Sequence, residues 1–343
     1  MATVRRALAL LSLVCWLLPV PLSSQTGEGP ALEAVSVVGP DGEAGAAIER
    51  ALLHGWRVRG GRVTYTGYPS QPQVVRGLAA MREQAPPDLA ILYPQAAEIA
   101  FARGLVMAPP PGSVPATRLL LPIAREAGGV CVPIAFDALA IVVPAVAGGV
   151  ATPGLAALDL AAASDRVALP VPAETLGAYL ASLLAYAETG DWRRSETGLR
   201  RLAALRTAAP TSAAGTASRT FVTWNSAAQA EAARSPGLVA AVPQEGVMLR
   251  PILLCLSASA AHLQAALALI ELALQPEAQG RLAAALHVAP AREGVALPGP
   301  VRARVPDLAA AVPARLVLPD PRFIARLRAA GPALADGGAP PRD

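Results

Sequence analysis

The 343-residue chain contains no lysine; its 29 basic side chains are all arginine. We read that bias as GC-rich coding rather than chemistry. Aromatic residues make up only 4% and are not interleaved with a basic patch. That excludes the usual phosphate-contacting and base-stacking surface of a nucleic-acid binder. No Gly-x-Ser-x-Gly occurs, so a nucleophile elbow is absent. There is no Walker loop, and no His-x-x-x-His or Cys-x-x-Cys spacing to hold a metal. The three histidines, His54, His262 and His287, lie far apart, each on a predicted helix. After the N-terminal leader, no apolar run is uninterrupted enough for a membrane span.

Residues 1–25 have the layout of a secretory signal. Arg5 and Arg6 form the positive region, Ala7 to Leu18 the apolar region, and Ser23-Ser24 supply small residues before cleavage near Gln25. An uncleaved anchor is the alternative, but the apolar run is short for a span. Cys15 lies inside the apolar region behind Val14, where lipid attachment would need a small residue. Two of the arginines are in this leader, so the formal charge of +4 falls close to balance in the mature chain. Two cysteines remain. Cys131 and Cys255 sit in apolar, strand-like contexts, and the default for each is a small buried hydrophobe. An oxidising compartment also permits a disulfide between them.

The mature chain is long enough for two domains, and strands and helices alternate along it. Residues 32–38 form a first strand, followed by a Gly-rich turn through Asp41 and a helix to about Leu53. This turn is first an ordinary strand–helix loop, although the helix N-terminus could meet a polar ligand. A second strand runs from Arg62 to Tyr68, a helix from Gln71 to Gln84, and a third strand from Pro87 to Tyr93. A helix from Ala96 to Arg103 is closed by Gly104. Such alternation predicts a parallel α/β sheet with right-handed crossovers. Ligands in these sheets bind beyond the carboxyl ends of the strands. The rim loops are then Pro40-Asp41-Gly42, Tyr68-Pro69-Ser70 and Tyr93-Pro94-Gln95.

Residues 242–290 organise the rest. Val242-Pro243-Gln244-Glu245-Gly246 is a turn, Ile252 to Leu256 a buried strand, and the apolar spacing from Ala261 that of a helix. Pro276 ends that helix and opens the next. This order, with Leu274-Gln275-Pro276-Glu277-Ala278-Gln279 and the exit Ala289-Pro290, resembles the C-terminal half of bacterial extracellular solute-binding proteins, the receptors of ABC importers. The segment from Pro87 to Pro110 resembles a ligand-loop strand and exit helix of the same family, and Val132 to Val143 its crossing strand. The family often has Tyr and Asn at the end of that strand; Val143 and Pro144 stand here instead. Thr220 to Ser226 is similar to the family's segment where a strand end and a helix start meet the ligand.

The resemblance implies an α/β fold of the periplasmic binding protein type II kind: two α/β lobes joined by a hinge, with a ligand cleft between them. Lobe 1 takes residues 26–133 and receives the chain back over 251–330; lobe 2 takes 134–250; residues 331–343 form a Gly/Pro-rich disordered tail. The implied function is capture of a small solute in the periplasm by a monomer, and delivery to ABC permease and ATPase subunits, with no cofactor and no catalysis. Spermidine/putrescine receptors are nearest in layout, which implies a polyamine or other small organic cation held by Asp41, Asp137, Glu174, Glu245, Trp224 and Tyr93. Gln95, Phe136, Thr175 and Asn225 complete the candidate ligand set. Two of these assignments have plain alternatives: Glu174 and Thr175 could simply open the helix that follows, and Trp224 could be a core anchor. The chain has no Tyr-Tyr pair, which sets a ferric-tyrosinate site aside. Two competing readings are a ligand sensor of the same fold and a secreted enzyme using cleft carboxylates, although nothing in the sequence pairs two of those carboxylates.

Overall fold

The computed structural model describes residues 34–145, 154–163, 167–208, 220–308 and 316–335. The expected signal segment and the end of the tail lie outside them. Among the described residues eleven strands form one sheet. They are β1 (Val35–Pro40), β2 (Val63–Tyr68), β3 (Leu89–Leu92), β4 (Val106–Met107), β5 (Val132–Pro144), β6 (Val167–Ala168), β7 (Thr220–Trp224), β8 (Leu238–Ala241), β9 (Val247–Ser257), β10 (Ala289–Pro290) and β11 (Leu316–Val317). The order along the main path is β2-β1-β3-β9-β5-β7-β6.

The sheet is mixed, not parallel throughout. β1 pairs in parallel with β2 and β3, as the alternation predicts. β9 comes back from the second half of the chain and pairs antiparallel with both β3 and β5. These two long strands are buried almost end to end, which suits their near-continuous apolar sequence. β9 begins at Val247 and so reaches well before Ile252, where the apolar run alone starts it. Arg250 interrupts the pattern, but the register places Asp137 of β5 directly opposite it. With its charge met across the ladder, the strand continues through it.

β5 also carries the chain from one core to the other. Through Ala138 its side chains pack with β1, β3 and β9 and with helices Leu263–Ala273 and Pro276–Leu286. Beyond it, Leu139, Ile141 and Val143 pack with helices Thr175–Thr189 and Ser195–Ala208, while Ala140 and Val142 pack on the other face with Ala228 and Leu238. Helix Ser195–Ala208 is basic outward, but it buries Leu199, Leu202 and Leu205. Gly198 lets its backbone approach closely, since a Cβ there would lie 1.9 Å from the Ala181 carbonyl oxygen. The C-terminal helix Pro321–Ala335 adds Ile324 and Leu327 to this second core, and it runs past Gly331, where the sequence suggests a tail.

Cys131 and Cys255 form a disulfide, with Cα atoms 4.5 Å apart. Val132 faces Leu254 in the β5–β9 register, so one step further brings the two cysteines face to face. No helix among the described residues is long and apolar enough to cross a membrane.

Candidate functional site

The site is built where β3 ends and β5 passes β9. After Leu92 the chain leaves β3 through Tyr93, and helix Pro94–Ala102 starts. Beside it, β2 ends at Tyr68 and helix Gln71–Met81 begins. Both helices open with proline in the first turn, which costs no intrahelical hydrogen bond. Gln71 Oε1 accepts the Tyr93 backbone N–H at 2.7 Å. That bond fixes the amide orientation, because only an oxygen can accept it, and it leaves Nε2 as a donor.

Arg250 is the hub. Its guanidinium lies between two rings, 4.0 Å from the Tyr93 centroid and 3.8 Å from the Trp224 centroid. It is only 8% exposed, and Nη2 donates to Asp137 Oδ2 at 3.0 Å. Asp137 is fully occupied. It also accepts the Ser226 hydroxyl at 2.6 Å, the Ser226 N–H at 3.1 Å and its neighbour's Ala138 N–H at 3.0 Å. Trp224 stands edge-on to Tyr179, with centroids 5.0 Å apart. Tyr179 is wholly buried, and burial pushes its phenol up to about 12. Its hydroxyl lies near Gln95 and Arg250 but completes no hydrogen bond.

A cavity of about 530 Å³ opens in front of this stack, within the range of small-ligand sites. Gln71, Tyr93, Gln95, Thr175 and Arg250 contribute its polar wall, and Val75, Ala96 and Ile99 an apolar one. Arg76, Arg103 and Arg328 complete the rim. The two open helices and Thr175, at the start of helix Thr175–Thr189, all present N-terminal turns to this space.

Of the residues nominated from sequence, Tyr93, Gln95 and Thr175 line the cavity, while Trp224 and Asp137 reach it through Arg250. The others are elsewhere. Phe136 is fully buried in the first core. Asn225 is also fully buried, and its Nδ2 donates to the His287 and Arg304 carbonyls at 2.7 and 2.8 Å. Glu245 accepts the Leu155 N–H at 2.9 Å. Asp41 and Glu174 are exposed residues preceding helices, and neither makes a side-chain cap. Arg250, Gln71 and the rim arginines were not nominated. One signal was available for Arg250: a lone charge inside an apolar run of strand length must be neutralised there. Among the described residues no group of His, Cys, Asp and Glu could hold a metal ion.

Residues 140–310 match the sequence model of the family described as bacterial extracellular solute-binding protein. No curated protein sequence matches the chain significantly. Among solved structures, the fold is similar to an ABC transporter substrate-binding protein from Bradyrhizobium japonicum, with a TM-score of 0.67 at 16% identity, covering 85% of this chain and 94% of that one. It is similar to the spermidine/putrescine ABC transporter substrate-binding protein PotD of Streptococcus pneumoniae, with a TM-score of 0.64 at 16% identity over 79% and 87%. It is likewise similar to the ferric iron-binding protein A of Mannheimia haemolytica in an open conformation, with a TM-score of 0.66 at 15% identity over 89% and 98%. All three likenesses are likenesses of fold.

Proposed function

Starting from the membership of residues 140–310 in the bacterial extracellular solute-binding protein family, we propose that this protein captures a small solute in the periplasm and hands it to an ABC permease with its ATPase. The two cores are the two lobes, and the hinge lies where β5 and β9 pass from one to the other, at Ala138-Leu139 and Met248-Leu249. The protein acts by binding and closure, without chemistry on the ligand. The alternative of an enzyme using cleft carboxylates gains no support, since Asp137 is committed to Arg250 and Glu245 to a backbone N–H.

One observation carries this reading: the ring–guanidinium–ring stack joins the lobes. Tyr93 comes from the first, Trp224 from the second, and Arg250 from a connecting strand. A solute seated on this stack and reaching Thr175 touches both lobes. It then favours the closed state by the difference in its contacts between open and closed forms.

The likeness to PotD supplies a polyamine reading, which fits the expectation from sequence. A polyamine needs carboxylates at the wall. The polar wall and rim of this cavity hold arginines and amides instead, so the observed charge weighs against a cation. A thermal-shift panel of polyamines, ferric ion, amino acids, sugars and phosphonates tests the reading. A ligand at 100 times its dissociation constant stabilises by about 2.7 kcal/mol, a rise of a few degrees. A rise with one chemical class is expected. A flat response, together with a native mass spectrum showing no retained small molecule, would contradict solute capture.

A further inference from the structure

We infer that the cavity is an anion site, and that the solute carries a carboxylate or phosphoryl oxyanion on a short apolar body. This rests on the solute-capture reading and names the ligand class. Five described side-chain atoms are buried without a hydrogen-bond partner, and three of them belong to residues lining this cavity: Gln71 Nε2, Gln95 Nε2 and Arg250 Nε. All three are donors, and a fourth atom, the Tyr179 hydroxyl, sits beside two of these residues.

A buried donor without an acceptor costs free energy that a ligand oxygen recovers on binding. Two of the three donors are also held in place. Gln71 is anchored through its carbonyl oxygen to the Tyr93 N–H, and Arg250 through Nη2 to Asp137. The Arg250 charge is largely met by Asp137, so its Nε offers direction more than net charge.

The charge comes from the rim. Arg76, Arg103 and Arg328 line the same cavity, and none has a carboxylate within ion-pair distance among the described residues. Arg328 Nε is held by the Ala173 carbonyl at 3.2 Å. First-turn residues of three helices, Gln71, Gln95 and Thr175, also line the cavity. Among the described residues no carboxylate lines the cavity to oppose these groups. Val75, Ala96, Ile99 and the Tyr93 ring face the remainder, which suits a hydrocarbon body and not a bare inorganic ion.

Isothermal titration of the purified protein with succinate and with putrescine tests the sign directly. The two share a carbon-chain length and differ in the charge of both ends; phosphonoacetate serves as a second oxyanion. Binding of an oxyanion without binding of putrescine is expected. The double variant Arg76→Gln/Arg103→Gln alters only exposed side chains, and its melting curve checks that it folds as the parent does. It should bind the oxyanion roughly tenfold more weakly, with the parent losing affinity as salt is raised. If putrescine binds and the oxyanions do not, the inference is overturned while solute capture stands. Equal oxyanion binding by parent and double variant overturns the placement in this cavity. If neither oxyanion binds, the inference also falls, and the broader panel above decides solute capture separately.

Discussion

Among the described residues two aspartates are buried, and they do different things. Asp88, in the first lobe, is fully buried and accepts from the Ser36 N–H and hydroxyl and from the His262 N–H, at 2.8 to 2.9 Å. The His262 imidazole lies 3.3 Å from it. Asp137, at the crossing of the lobes, is as deeply buried and equally well supplied with bonds. Its partner, however, is an arginine with a donor to spare, and that arginine lines a cavity. A buried, satisfied carboxylate is therefore no sign of a site by itself. The sign is an unspent donor next to it.

The comparison can be broken most forcefully at its charged end. Arg250→Met should cost about 3–5 kcal/mol in urea unfolding, because it strands the Asp137 charge. A loss below 1 kcal/mol would mean that the crossing does not depend on the pair. Replacing both Cys131 and Cys255 with alanine opens a closure across 124 residues. It should cost about 2–5 kcal/mol, and it should act on the Asp88 lobe alone, leaving oxyanion affinity unchanged in titration. Asn225→Ala leaves two carbonyls without their donor and should cost about 1–3 kcal/mol by the same unfolding measurement. His262→Ala is the gentle counterpart of the Arg250 change. The backbone bond to Asp88 survives and the imidazole is 45% exposed, so the loss should stay under about 1 kcal/mol.

The smallest effect concerns pH. Burial, and then Arg304, hold the His287 imidazole below the usual histidine range. The unfolded chain therefore takes up the proton first as pH falls. This contribution to stability is complete above about pH 6.5 and is lost as pH drops through the lower folded value. His287 caps helix Pro276–Leu286 at φ 54°, a conformation that asparagine tolerates. His287→Asn should reduce the difference between melts at about pH 7.5 and about pH 5.5; an unchanged difference would move the dependence to another group.

Much of the fold could be read in advance, because apolar period and turn residues report local structure. The strand ending at Tyr68 and the helix break at Pro276 lie where the pattern places them, the third strand stops one residue short of Tyr93, and the crossing strand from Val132 lies where the family resemblance places it. What failed depended on partners distant in sequence. The extent of β9 was hidden by Arg250, whose neutralising partner is in another strand. The disulfide depends on a register that no local signal sets. At the site, Tyr93 and Gln95 were legible as residues just beyond a strand end. Asn225, in a similar position, turned inward to two carbonyls instead. Gln71 gave no signal, and neither did the rim arginines, since one arginine looks like another in a chain that has many and no lysine.

Small-angle X-ray scattering of the protein, alone and saturated with whichever compound raises its melting temperature, tests the central claim most directly. Capture between two lobes predicts a smaller radius of gyration on saturation, with Arg76→Gln/Arg103→Gln needing roughly tenfold more oxyanion than the parent to reach the same compaction. Saturation with the radius unchanged would contradict closure around the solute.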